Sequence, residues 1–186
     1  MAYIIIVDGP DNAGKTTFIQ DICELGNQYQ VIDFPKRTDD GRFDIKSRNE
    51  VACFETMLEY LDPKKVHILD RGYISNWVYG KLRNEEVNRY EDDFNRLRDN
   101  NHVLPIILTR NEISVDFKDD LISLDSTKFN KVIELFNEFA EENDVKVRQM
   151  LNHDTKNDLK STNASERDRL ITEIIKWSQK YLNRSK

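Results

Sequence analysis

Eight residues near the N-terminus, Gly9-Pro10-Asp11-Asn12-Ala13-Gly14-Lys15-Thr16, satisfy the pattern G-x-x-x-x-G-K-[ST] at every fixed position. Glycine at both ends lets the backbone wrap closely, so that its N–H groups can converge on one anion. A helix opening behind the loop would add the positive end of its dipole. Lys15 offers a mobile ammonium to the outer phosphates of a nucleoside triphosphate such as ATP, and the Thr16 hydroxyl is a hard oxygen ligand suited to Mg2+. Gly9, Asp11, Asn12, Ala13, Gly14, Lys15 and Thr16 are therefore expected to form an ATP-binding loop. Thr17 is either a helix-start residue or a further contact.

A second pair with chemical potential is Asp70-Arg71, at the end of the apolar run Val66-His67-Ile68-Leu69. Ligands of open parallel sheets bind at the carboxyl ends of the strands. There Asp70 would reach the metal shell or a catalytic water, and Arg71 would fork onto a phosphate. A third candidate is Phe34-Pro35-Lys36-Arg37, in which Pro35 stiffens a turn and Arg37 is presented as an anion fork. Asp33, just before it, has two readings: a structural carboxylate closing a strand, or a general base for a hydroxyl acceptor.

These groups need elements to hold them. Short β-branched runs alternate with helical periodicity, the pattern of a parallel α/β sheet. Strands are expected over residues 3–7, 30–33, 66–69, 104–108 and 145–150, and helices over 15–25, 49–61, 85–99 and 127–142. A last helix would be capped by Ser165, with Asp168 at the capping-box position. The helix over 85–99 is rich in charge and expected to face solvent. Residues 111–126 are acidic and poorly periodic, a candidate lid, and 152–163 read as a polar loop. With 186 residues the chain fits one domain, an α/β P-loop fold with a five-stranded parallel sheet flanked by helices on both faces. The net charge of -6 disfavours a nucleic-acid polymer as partner. Cys23 and Cys53 read as small buried hydrophobes. No run approaches a membrane span and no signal peptide is visible, so a cytoplasmic location is expected.

Together these motifs resemble the thymidylate kinase family, within the nucleoside and nucleoside-monophosphate kinases. Residues 7–17 look like its acid-Gly-x-Asp-x-x-Gly-Lys-[Ser/Thr]-Thr, Phe34-Pro35-Lys36-Arg37 like its Phe-Pro-x-Arg, and Asp70-Arg71-Gly72-Tyr73-Ile74-Ser75 like its Asp-Arg-Tyr-x-x-Ser. The resemblance implies ATP-dependent transfer of a phosphoryl group to a deoxynucleotide, with Mg2+, in a homodimer. It implies that Arg37 and Arg71 hold the acceptor's phosphate, that Asp70 serves metal and acceptor, and that Asp11 meets the acceptor sugar's 3′-hydroxyl. Phe34 and Ser75 would complete the acceptor site. Phe54 is placed either as a base-stacking ring or as plain core. The family often carries an arginine where this chain has Asn12, or arginines in the lid. Here the lid offers Lys118, with Arg110 just before it, as the catalytic cation. Alternatives remain open: a deoxynucleoside kinase, a kinase of modified bases in DNA, or a non-catalytic nucleotide-binding module.

Overall fold

Alternation along the first strand sets the architecture. In β1 (Tyr3–Asp8), Ile4 and Ile6 point into one apolar cluster, while Ile5 and Val7 point into another on the opposite face. A strand buried on both faces reads as an unbroken β-branched run, which is what Ile4-Ile5-Ile6-Val7 is. The computed structural model describes residues 1–36, 38–39, 42–113, 125–153 and 160–182. In chain order β1 is followed by α1 (Lys15–Glu24), β2 (Tyr29–Val31), α2 (Arg48–Glu59), β3 (Val66–Asp70), α3 (Tyr73–Leu82) and α4 (Asn88–Asn100). Then come β4 (His102–Leu108), α5 (Ser126–Glu142), β5 (Lys146–Arg148), β6 (Leu151–His153), β7 (Lys160–Thr162) and α6 (Ala164–Leu182).

Five strands form a parallel sheet in the order β2-β3-β1-β4-β5, and β6 and β7 form a separate antiparallel ribbon. Helices α2, α3, α4 and α5 cover one face, where Phe94 and Trp77 meet Phe139 edge-on at 5.2 and 5.3 Å between ring centroids. Helices α1 and α6 cover the other through Phe18, Ile22, Leu170 and Ile174. The sheet ends that carry Asp8 and Asp70 therefore open on one side of the molecule. Pro105 lies inside β4 and is tolerated because β4 pairs with β5 only from Ile106 onward. Among the described residues, no helix is long and apolar enough to cross a membrane.

Several expectations change. Helix α3 was not foreseen, because Tyr73 through Gly80 are all buried and leave no polar face to mark a 3.6-residue period. The ribbon β6–β7 replaces part of the expected polar loop. Helix α4 is not simply solvent-facing: Tyr90, Phe94 and Leu97 join the core, and Asp93, 1% exposed, accepts hydrogen bonds from Arg48 of α2 and Arg96. The last helix is capped two residues earlier than expected, by Asn163, whose Oδ1 accepts from the N–H of Glu166 at 3.4 Å, so Ser165 lies inside the helix. Cys53 is exposed rather than buried, and Cys23 is half-buried.

Gly80 shows how tightly the first face is packed. A Cβ there would sit 2.8 Å from Val87 Cγ1. Alanine gains about 0.5–1 kcal/mol over glycine in a helix, but overpacking costs more, so Gly80→Ala should lower stability by about 1–2 kcal/mol. Urea denaturation measures it, and a variant more stable than wild type would mean that Val87 yields without strain.

Candidate functional site

The loop between β1 and α1 takes its shape from the sheet beneath it. Gly9 has φ 140°, and a Cβ at that position would stand 2.0 Å from the carbonyl oxygen of Leu108, the last residue of β4. Only glycine allows the chain to leave β1 that close to its neighbour. Asn12, at the apex, and Gly14, before the helix, are left-handed at φ 57° and 89°. Gly14 brings no side-chain cap to α1, so the first-turn N–H groups keep their affinity for an outside anion.

Under the loop lies a buried charge network. Asp8 has no exposed surface and accepts from the N–H groups of Gly9 (2.8 Å), Gly72 (3.1 Å) and Ser75 (3.0 Å) and from Ser75 Oγ (2.6 Å). Burial pushes its carboxyl up, although Arg71 and these donors oppose the shift. Arg71 is also fully buried, with φ 75°. Its Nη1 donates to Gly9 O and Ser75 Oγ at 3.3 and 3.2 Å, its Nη2 donates to Asp11 Oδ1 at 2.5 Å, and the guanidinium lies over the Tyr79 ring. The guanidinium expected to fork onto a phosphate is held beneath the loop in this structure by two carboxylates. The hydroxyl of Ser75, expected in the acceptor site, lies between Asp8 and Arg71 with no exposed surface. Asp8 was not singled out from the sequence, because a strand-end acid gives no sign of which way it turns.

Above the loop is a cavity of about 480 Å³ lined by Asp11, Asn12, Gly14, Lys15, Thr16, Thr17 and Asp70 on the sheet side, and by Leu151, Lys160 and Thr162 of the ribbon. Thr16 and Asp70 are exposed to it and present a hydroxyl and a carboxylate, hard oxygen donors of the kind Mg2+ takes. Lys15 is 7% exposed, and its Nζ donates to Pro10 O at 2.7 Å and stands 3.9 Å from Asp11 Oδ1. Burial, and then the nearby Arg71, lower its pKa to about 7, against the pull of Asp11, Asp8 and Asp70. Arg110 is 3% exposed, and its guanidinium lies over the Phe129 ring, 5.2 Å from the centroid, so it does not line this cavity. Arg37 and Lys118, and the candidate lid apart from 111–113 and 125–126, lie outside the described residues.

Within the core on the face covered by α2 and α3 sits an aromatic cluster. Phe54, 3% exposed, meets Phe34, Phe43 and Tyr73 edge-on, with centroids at 6.2, 5.2 and 6.2 Å. It is packed as a core ring is, and it also lines the small cleft beside the cluster. Phe43 was missed: both N–H and C=O of its backbone are held by the buried Asn76 amide, at 2.7 and 3.1 Å. This cleft, of about 190 Å³, is lined by Phe34, Pro35, Ile45, Cys53, Phe54 and Met57 together with the acids Asp44 and Glu50.

No family model matches the chain, and no curated protein matches it in sequence. Solved structures do. The fold is that of the thymidylate kinases. The thymidylate kinase of Candida albicans superposes with a TM-score of 0.58 at 16% identity, over 97% of this chain and 93% of that one. The thymidylate kinase of Ehrlichia chaffeensis gives 0.54 at 15% identity, over 94% and 97%. The YorR protein of Bacillus subtilis, solved in complex with phosphorylated GDP, gives 0.58 at 17% identity, over 93% and 95%. At these identities the likeness establishes the fold across nearly the whole chain.

Two predictions follow from the charges. A polyphosphate on the loop needs Lys15 in its ammonium form, whereas the ligand-free side chain is mostly neutral above its pKa of about 7. Binding should therefore take up a proton between pH 7 and 9, and affinity should fall by up to about tenfold per pH unit as pH rises. Calorimetry in buffers of different ionisation enthalpy measures the uptake, and Lys15→Met should abolish it. Separately, Arg71→Met leaves Asp8 and Asp11 without their buried partner and should cost about 3–5 kcal/mol of stability. A near-neutral result in chemical denaturation would mean that Arg71 points outward after all.

Proposed function

We propose that the chain is an ATP-dependent nucleotide kinase, which transfers the γ-phosphoryl group to a deoxynucleoside monophosphate such as dTMP. The observation that carries the reading is the cavity in which Asp11, Lys15, Thr16 and Asp70 converge at the ends of β1 and β3. Phosphoryl transfer asks little covalent chemistry of a protein: it asks for in-line positioning and for cations where charge develops. An oxygen of the acceptor's phosphate attacks the γ-phosphorus while the bond to the β–γ bridging oxygen breaks, leaving ADP and a diphosphate product.

In this reading the loop N–H groups and Lys15 hold the donor's phosphates. Thr16 and Asp70 would hold Mg2+, which when bound neutralises phosphate oxygens. Asp11 accepts from the acceptor sugar's hydroxyl. Arg71 is a positioning residue that acts through Asp11, whose Oδ1 its Nη2 holds at the edge of the cavity. Arg37 is assigned to the acceptor's phosphate, because a doubly charged acceptor approaching a triphosphate requires a cation between them. A cytoplasmic homodimer belongs to the same reading. The fold shared with thymidylate kinases supports it, as does the nucleotide in the YorR structure.

A panel of the deoxynucleosides and their monophosphates, incubated with ATP and Mg2+ and resolved by chromatography, tests the reading. Monophosphates should become diphosphates, and deoxynucleosides should not react. Arg37→Ala should raise the acceptor KM by about tenfold or more, the loss of a charge-assisted hydrogen bond, and leave ATP binding nearly unchanged. If thymidine reacts faster than its monophosphate and Asp33→Asn removes that activity, the protein is a nucleoside kinase.

A further inference from the structure

The cavity assigned to the donor is poor in positive charge for its task. Among the described residues that line it, only Lys15 and Lys160 are cationic, and they face the carboxylates of Asp11 and Asp70. Arg71 is turned beneath the loop, and Arg110 lies over Phe129. The remaining cation, Lys160, comes from β7, far from the loop in sequence. Its Nζ donates to Asn12 Oδ1 at 2.9 Å, so the ammonium stands over the apex of the phosphate-binding loop.

The ribbon that carries Lys160 is tied down on two sides. Lys160 pairs with His153 across the β6–β7 ladder. The carbonyl of His153 accepts from Asn111 Nδ2 at 3.2 Å, and Asn111 Oδ1 accepts from Gln149 Nε2 at 2.8 Å. The cap of α6 adds the other tie: Asn163 donates from its backbone to Met150 O at 2.8 Å and from Nδ2 to Gln149 O at 3.2 Å. Lys160 is thus a flexible stem on a fixed base, 148 residues from its partner Asn12. Its partner is a neutral amide oxygen. A phosphate oxygen arriving beside Asn12 is the stronger acceptor, because it brings an opposite charge to the ammonium that a neutral amide oxygen lacks. An ammonium has three donors and can keep Asn12 while taking a phosphate.

We propose that Lys160 is a phosphate-binding residue of the donor site, gripping the outer phosphates of the triphosphate from the ribbon while Lys15 holds them from the loop. The proposal rests on the kinase reading. It makes the ribbon a sensor of phosphate number: a nucleoside monophosphate, anchored by its base and first phosphate alone, does not extend to the loop apex. Lys160 then contributes to ATP and not to AMP.

Calorimetric titration with ATP, ADP and AMP in the presence of Mg2+ tests this on wild type, Lys160→Met and Lys160→Arg, with thermal unfolding as the folding control. Lys160 is exposed, so neither variant should unfold. In Lys160→Met, ATP affinity should fall by about tenfold or more, the loss of one charge-assisted contact, with AMP affinity changed less than about twofold. The variant should also show a weaker dependence of ATP affinity on salt, and Lys160→Arg should restore most of the loss. If wild type binds ATP and Lys160→Met binds it within about threefold, the role of Lys160 is wrong and the kinase reading stands. An equal loss for ATP and AMP would place Lys160 in holding the ribbon, which also overturns the proposal. A wild type that binds no triphosphate removes both.

Discussion

Beneath the phosphate-binding loop, the carboxylate of Asp8 and the guanidinium of Arg71 sit with no exposed surface, joined through Ser75 and to Asp11. Each charge would be costly to bury alone, and each is accepted because the other and a set of backbone N–H groups complete it. What they hold is the meeting of three segments: the end of β1, the turn after β3 and the first turn of α3. The loop above inherits its position from that junction. So does Asp11, the member of the network that reaches the cavity, and so does Lys15, whose low pKa reflects the same burial and the same arginine.

This arrangement divides labour among the charges. Arg71 is held beneath the loop by Asp8 and Asp11. Among the described residues, the cations that line the cavity are lysines with flexible stems, one on α1 and one on β7. Hard oxygens from Thr16 and Asp70 stand between them. Among the described residues that line the cavity, two lysines stand beside two carboxylates. The backbone N–H groups and the dipole of α1 then supply the remaining attraction for an anion.

Much of the framework was legible in the residues. β-Branched runs mark the strands because they are buried on both faces, and the loop pattern between Val7 and Phe18 leaves one local geometry open. Helix α3 was hidden, because a helix buried on every side has no amphipathic period. The direction of Arg71 was hidden too: an acid–arginine pair after a strand looks the same whether it faces a ligand or turns under the sheet. Only the fold puts Asp8 and Asp11 near enough to decide. Phe43 and Lys160 gave no local signal, being a single aromatic in a turn-rich stretch and one of two lysines in a polar one. Both acquire a role through partners, Asn76 and Asn12, that are remote in sequence.

The ribbon β6–β7 differs in kind from the rest of the site. Its strands have three residues each and pair only with one another. A two-stranded ribbon is marginal by itself, and this one is kept in place by side-chain amides of Asn111, Gln149 and Asn163. Local unfolding should therefore begin here, at a free energy well below that of the sheet. A nucleotide held between loop and ribbon would leave when a few amide hydrogen bonds part, so its residence time would be set by the fraying of this small element while the sheet stays intact.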